Sequence, residues 1–497
     1  MLHTTLAKAA AKLPLNPRVV AAQYAVRGLI PTRADEINKE IASGKGGYPF
    51  QSLVYCNIGN PQALKQPPLT FYRQVMSLVD SPFLLEDEVV VSRFPKDVVE
   101  RAREYLKRIG PTATGAYTGS LGYDFAREAV AAYINERDGQ ATPLSTADGI
   151  TLTDGASTGV RLLMQTLISG PSDGVMIPIP QYPLYTAQIA LLGGVEAPYY
   201  LKEAEGWGVH AADLKATYDK CVNESKAAPR LFVAINPGNP TGNVLERTVM
   251  EDIVRFCYDH NMVLLADEVY QVNIYAAGKK FTSFREVVLR MPEPYNKTML
   301  VSLHSTSKGV IGECGRRGGY FEQMNLPADL HAELVKMCSI NLCSNVNGQV
   351  MTALMCSPPA PGGESHASFT KEFADIFDGM KTRAAMLAAE LNTVVGFSCQ
   401  PVEGAMYAFP RLTLPAAYAR HNDELNAKEG RKLSLDARWA LELLESEGIV
   451  VVPGSGFGQE PGTLHFRTTI LPPTEQMARV VKSIRTFQEG LYATYKD

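Results

Sequence analysis

The sequence predicts an α/β fold: a large domain with a mostly parallel sheet covered by helices, and a smaller α/β domain. Three observations predict it. Short, bounded apolar runs alternate with helical patterns up to about residue 355 of the 497. The chemically unusual residues of that stretch each stand just after one of the runs. A Pro/Gly-rich loop at 357–368 then interrupts the pattern. Alternation of strand and helix builds parallel sheet, and such sheets bind ligands at the carboxyl ends of their strands.

Ile150-Thr151-Leu152 is the first such strand, and a helix follows with Val160, Leu163, Met164 and Leu167 on one face. Val175-Met176-Ile177 is the next strand. Leu231 to Ile235 is another, followed by a helix whose inner face carries Met250, Ile253, Val254 and Cys257. Val263 to Ala266 and Met299 to Leu303 complete the series. Spacing of i, i+3, i+4, i+7 marks the helices, and short bounded runs mark the strands. The expected division is an N-terminal arm at 1–45, part of the small domain at 46–80, the large domain at 81–355 and the rest of the small domain at 356–497.

Composition excludes several classes. The chain is 45% hydrophobic and 20% charged, which suits a globular enzyme. A net charge of −4 gives nucleic acid or an anionic membrane no purchase. No apolar run reaches the roughly 18 residues of a membrane span. Eight cysteines show no Cys-x-x-Cys or Cys/His ligand spacing, so no metal site is expected and the thiols read as reduced, in an intracellular protein. The expected location is cytoplasmic. The first 34 residues carry five bases and no acid, so a mitochondrial presequence is the alternative to a folded arm.

Lys308 carries the chemistry. It lies in Ser305-Thr306-Ser307-Lys308-Gly309, after the Met299–Leu303 strand, with Arg316 eight residues on. A lysine among hydroxyls at a strand end suits an amine that condenses with a carbonyl while its neighbours hold a phosphate. That is the requirement of pyridoxal phosphate, PLP. The bland alternative is a solvated surface lysine. The Ser-x-x-Lys pattern of penicillin-binding enzymes fails here, since neither Ser-Asp-Asn nor Lys-Thr-Gly occurs.

Other loops supply company. Asp267-Glu268-Val269-Tyr270 puts a carboxylate at a buried strand end, costly unless it meets a cation such as a pyridinium. The competing reading is a helix cap. Asn236-Pro237-Gly238-Asn239-Pro240-Thr241-Gly242 fixes Asn239 rigidly enough to donate to a phenolate oxygen, although Asn-Pro and Pro-Gly also mark plain turns. Thr153 to Gly159 leads into a helix, and its small residues let backbone N–H groups close on an anion. Pro180-Gln181-Tyr182-Pro183-Leu184-Tyr185 offers an aromatic ring to stack on a heterocycle, or a core tyrosine. Arg467, inside the strand pattern Leu464 to Thr468, suits a carboxylate bidentately. Gly454 to Gln459 lacks the last glycine and the βαβ setting of a dinucleotide loop.

These strings resemble the fold type I PLP-dependent aminotransferases over nearly the whole chain. Asn57-Ile58-Gly59-Asn60-Pro61-Gln62, Gly115 to Gly122, Glu313 to Tyr320 and His465 to Pro472 carry the likeness further. The resemblance implies a seven-stranded sheet and a homodimer with shared active sites. It implies Lys308 as Schiff-base lysine and proton carrier, Asp267 on the pyridinium, Asn239 and Tyr270 on the phenolate, and Tyr182 stacked on the ring. Ala156, Ser157, Ser305, Ser307 and Arg316 would hold the phosphate, with Tyr117 reaching it from the other subunit. Arg467 would bind the substrate carboxylate beside Gly59. The substrates implied are amino acids and 2-oxo acids, with L-alanine and 2-oxoglutarate as the pair. Glutamate:glyoxylate exchange, or a lyase of the 1-aminocyclopropane-1-carboxylate synthase type, would use the same lysine setting.

Overall fold

The computed structural model describes residues 14–22, 28–110 and 112–496. Residues 1–13 and 23–27, about half of the basic, acid-free segment read as an arm or presequence, lie outside the described residues. Among the described residues no helix is long and apolar enough to cross a membrane.

A short strand, β1 (Val54–Tyr55), comes first. The central sheet follows: β2 (Ile150–Thr153), β3 (Asp173–Ile179), β4 (Val195–Tyr200), β5 (Ala228–Ile235), β6 (Val263–Asp267), β7 (Leu300–Ser305) and β8 (Gly319–Met324). Their spatial order is β2-β8-β7-β6-β5-β3-β4. Neighbours from β7 across to β4 pair in parallel, and only β8 runs against its neighbours. The expected mostly parallel sheet of seven strands is the one observed.

Its strands read as continuous apolar runs because both faces are covered. Phe232, Ala234, Leu264 and Ala266 face one core, which takes Met250, Ile253, Val254 and Cys257 from the helix Arg247–Asp259. Leu231, Val233, Val263 and Leu265 face the other, with Val160, Leu163 and Met164 of the helix Ala156–Leu167. Each of the Val, Leu, Ile, Phe and Met side chains among these contributes about 1.5–3 kcal/mol by leaving water. Both expected helix stripes are therefore core stripes. Two strands escaped the sequence pattern for physical reasons. The edge strand β4 carries Glu196 and Pro198, which an edge tolerates. Strand β8 carries Glu322, buried because Nε of Arg285 donates to it at 3.0 Å.

The register puts the reactive loops together. Asp267 ends β6, opposite Ile235 of β5 and Leu303 of β7. Ser305 ends β7, opposite Gly319. The loops after β2, β5, β6 and β7 thus open at one end of the sheet.

The second sheet comprises β9 (Phe397–Ser398), β10 (Tyr407–Ala408), β11 (Arg411–Leu412), β13 (Val452–Pro453) and β14 (Leu464–Thr469); β10, β11 and β13 pair antiparallel with β14, and β9 with β11. Between them in the chain, β12 (Ile449–Val450) pairs in parallel with β1. Trp439 of the helix Leu435–Glu447 packs 4.7 Å from Phe466, and its indole N–H donates to Gln488 Oε1 at 2.9 Å. The β1–β12 pairing has a functional consequence. It carries the chain from residue 54 into this sheet, where Thr469 N–H donates to the Cys56 carbonyl at 2.9 Å. Asn57 and Gly59 are thereby delivered to Arg467. Strand β10 is tied back to the large sheet: Gly404 N–H donates to the Gly242 carbonyl at 2.8 Å, and the Tyr275 hydroxyl to the Ala405 carbonyl at 2.7 Å.

Candidate active site

A cavity of about 390 Å³ opens at the carboxyl end of the central sheet. Its wall carries nine of the residues selected from sequence: Ala156, Ser157, Tyr182, Asn239, Asp267, Tyr270, Ser305, Ser307 and Lys308. Lys308 follows the end of β7 by three residues, so the strand fixes its backbone while the side chain reaches the cavity.

Asp267 lies at the floor. Its Oδ2 accepts a 2.7 Å hydrogen bond from the Tyr185 hydroxyl, and its Oδ1 accepts from Val269 N–H at 3.4 Å. No helix follows it, which removes the capping alternative. Burial raises its carboxyl above the ordinary value, against the pull of Tyr185, Val269 N–H and the Lys308 charge. A buried acid in this condition favours a cationic partner. Tyr270 stands beside it, and Asn239 Nδ2 lies 3.5 Å from the Tyr270 hydroxyl. Burial also pushes the Tyr270 phenol well up.

One end of the cavity is built by the helix Ala156–Leu167. Gly155 caps it at φ +83°, a left-handed value that a side chain would strain, and no side chain caps its first turn. The N–H groups of that turn and the helix dipole therefore face the cavity. Ser305 Oγ accepts from Ser307 N–H at 3.1 Å, while the buried Ser307 Oγ has no partner. One feature differs from expectation. Arg317, not Arg316, stands on the cavity wall; its Nη2 donates to the Asp154 carbonyl at 2.7 Å. Arg316 lies toward Glu313, 3.9 Å away, and Glu313 is occupied by Arg73 at 2.8 Å. Arg317 takes a left-handed φ of 53°, so the chain reverses between the two arginines. Sequence offers two adjacent arginines and no means of choosing.

At the far end, Arg467 is 1% exposed. Its Nη1 donates to Asn239 Oδ1 at 3.1 Å and its Nη2 to the Asn57 carbonyl, while Nε has no partner. Its guanidinium carbon lies 4.1 Å from the Tyr407 ring and 4.6 Å from the Phe457 ring. Gly59 packs on Tyr407, whose hydroxyl occupies the place of a Cβ. Tyr117 stands apart, 78% exposed. Sequence reasoning missed Tyr185, Tyr407, Phe457 and Arg317. The first had a signal: it stands one helical turn after Tyr182. The others are brought in by strand pairing and backbone reversal.

Fold and site together define a class. Residues 91–484 match the model of the aminotransferase class I and II family, and the chain belongs to that family. Over 483 residues it is 46% identical to alanine aminotransferase 2 of Panicum miliaceum, covering 97% of this chain and 98% of that one. It is 43% identical to glutamate–glyoxylate aminotransferase 1 of Arabidopsis thaliana over 97% and 96% of the two chains. The solved alanine aminotransferase of Pyrococcus furiosus superposes with a TM-score of 0.74 at 21% identity, over 96% of this chain and 100% of that one. The family is PLP-dependent, and the cavity fits PLP. Its volume lies in the range of roughly 300–1,000 Å³ of small-molecule sites. An uncapped helix N-terminus and an orphaned Ser307 hydroxyl suit a phosphate, and a buried acid whose carboxyl is raised suits a pyridinium.

Proposed function

We propose that this protein transfers the amino group of L-alanine to 2-oxoglutarate, giving pyruvate and L-glutamate, reversibly and in two half-reactions. The observation that carries the reading is the 42–47% identity to alanine aminotransferases over 96–97% of this chain. When bound, PLP supplies an aldehyde to which amines condense and a ring that takes up an electron pair. Asp267 would hold the ring nitrogen, Tyr182 would stack on the ring, and Asn239 and Tyr270 would hold its phenolic oxygen. Ala156 and Ser157 at the helix N-terminus, with Ser305, Ser307 and Arg317, would hold the phosphate. Arg467 binds the substrate α-carboxylate beside Gly59, which orients the substrate Cα–H toward the Lys308 amine. The Lys308 amine would take that proton from the substrate Cα and hold it for return. The carboxylate clamp is common to donor and acceptor, so one pocket serves both half-reactions.

In this reading two copies form a homodimer, and the exposed Tyr117 reaches the phosphate of the other copy. The chain divides into an arm at 1–45, a large domain at 81–355 and a small domain from 46–80 and 356–497.

Glutamate:glyoxylate exchange is the second reading, favoured by the Arabidopsis relative of that name. A panel of donors against 2-oxoglutarate, pyruvate and glyoxylate decides. Alanine with 2-oxoglutarate should exceed tyrosine or phenylalanine by more than about ten-fold, which needs only about 1.4 kcal/mol of discrimination. Equal rates for alanine and tyrosine would defeat the alanine assignment.

A further inference from the structure

Tyr407 has no part in the steps above, yet it touches both ends of the site. Strand β10 pairs with β14 so that Tyr407 stands opposite Thr469, two residues beyond Arg467. The Arg467 guanidinium carbon sits over this ring, 4.1 Å from its centroid, and over the Phe457 ring at 4.6 Å. The same ring stands at 86° to that of Tyr270, with centroids 6.1 Å apart. The Tyr407 and Tyr270 hydroxyls interact as a hydrogen-bonding pair. It also fills the space where residue 59 would carry a Cβ, so Gly59 and Tyr407 are matched to one another. Burial pushes the Tyr407 phenol up, but the Lys308 ammonium, the Arg467 guanidinium and the Tyr270 hydrogen bond outweigh it and bring it below its ordinary value.

We infer that Tyr407 is a positioning residue that joins the carboxylate end of the site to the cofactor end. Its ring fixes the plane of the Arg467 fork, and its hydroxyl competes with the cofactor's phenolic oxygen for the single Tyr270 proton. The inference rests on the PLP reading of the cavity. A planar guanidinium held by a ring presents its donors in a fixed direction, so less freedom is lost when a carboxylate arrives. The Tyr270 hydroxyl has one proton to give. Without the Tyr407 oxygen, that proton goes wholly to the cofactor's phenolic oxygen and favours its deprotonated form.

The test uses two variants of the holoenzyme and no turnover. Tyr407→Phe keeps the ring and loses the hydroxyl; Tyr407→Leu loses both. The first readout is the absorbance of the resting holoenzyme against pH. The second is calorimetric binding of propanoate, a carboxylate with neither an amino nor an oxo group. In Tyr407→Phe the spectral midpoint should fall by about 0.5 pH unit or more, roughly a three-fold change in acid strength. Propanoate binding should stay within about two-fold of wild type in that variant and weaken about ten-fold in Tyr407→Leu. An unmoved midpoint in Tyr407→Phe overturns the role of the hydroxyl. Equal propanoate affinity in both variants overturns the role of the ring. Gly59→Ala supplies an independent arm. It should weaken propanoate binding in the wild-type background and weaken it less beside Tyr407→Phe; an undiminished loss in the double variant overturns the matched pair. A wild-type protein with no cofactor band would instead defeat the PLP reading, and the propanoate arms would still judge the ring.

Discussion

The Tyr185 hydroxyl donates a 2.7 Å hydrogen bond to Oδ2 of Asp267, and both side chains are buried. The bond opposes the effect of burial on the carboxyl, and so favours the ionised form that a pyridinium needs. Tyr185→Phe removes a hydrogen bond to a charged group, worth about 1.5–3 kcal/mol. Turnover should fall at least about ten-fold, with a melting temperature close to wild type. Unchanged turnover would show that Asp267 needs no help from Tyr185.

Lys308→Ala should abolish turnover and the absorbance band of the lysine–cofactor linkage while the fold persists. Lys308 is only half-buried and reaches into a cavity, so its loss creates no packing defect. A variant that kept both band and rate would show that another lysine does the chemistry.

If Asp267 keeps the ring nitrogen protonated as proposed, Asp267→Asn removes the charge that does so. The barrier should rise by at least about 3 kcal/mol, as for other preorganised electrostatic contacts. Single-turnover kinetics with alanine measures it, and a loss of only a few-fold would rule the role out.

Arg467→Lys keeps the charge and loses the planar fork. Both half-reactions should suffer together, because the α-carboxylate is common to amino acid and 2-oxo acid. Separate measurement of the alanine and 2-oxoglutarate half-reactions checks this; damage to one alone would place the shared carboxylate elsewhere.

Glu268 gives a pH signature. Burial raises its carboxyl from 4.5 to about 7, against Arg137, the Ser302 hydroxyl and Phe284 N–H. The folded value exceeds the unfolded one, so this contribution to stability is full below 4.5 and is lost as pH rises through about 7. Glu268→Gln cannot ionise. Its melting temperature relative to wild type should therefore improve steadily between about pH 5 and about pH 8, by an amount equivalent to at most about 3 kcal/mol. A constant difference across that range would show that Glu268 does not titrate there.

The sequence by itself determined five strands of the central sheet and most of the cavity. Apolar runs covered on both faces are continuous and therefore visible, and a parallel sheet places every following loop at one end. That rule alone assembles Asp267, Asn239, Ser305 and Lys308. Only the tertiary structure decided the rest. Strand β1 pairs with β12 across nearly the whole chain, and that long-range pairing seats Asn57 and Gly59 beside Arg467. Strand β10 pairs with β14, and so sets Tyr407 against Arg467. Two-residue strands carry no periodic signal, so neither pairing could be read from the residues. The choice of Arg317 over Arg316 at the cavity wall rests on one backbone torsion. Local pattern reports burial; which distant segments share a wall depends on pairings whose free energy is set only when the sheets are assembled.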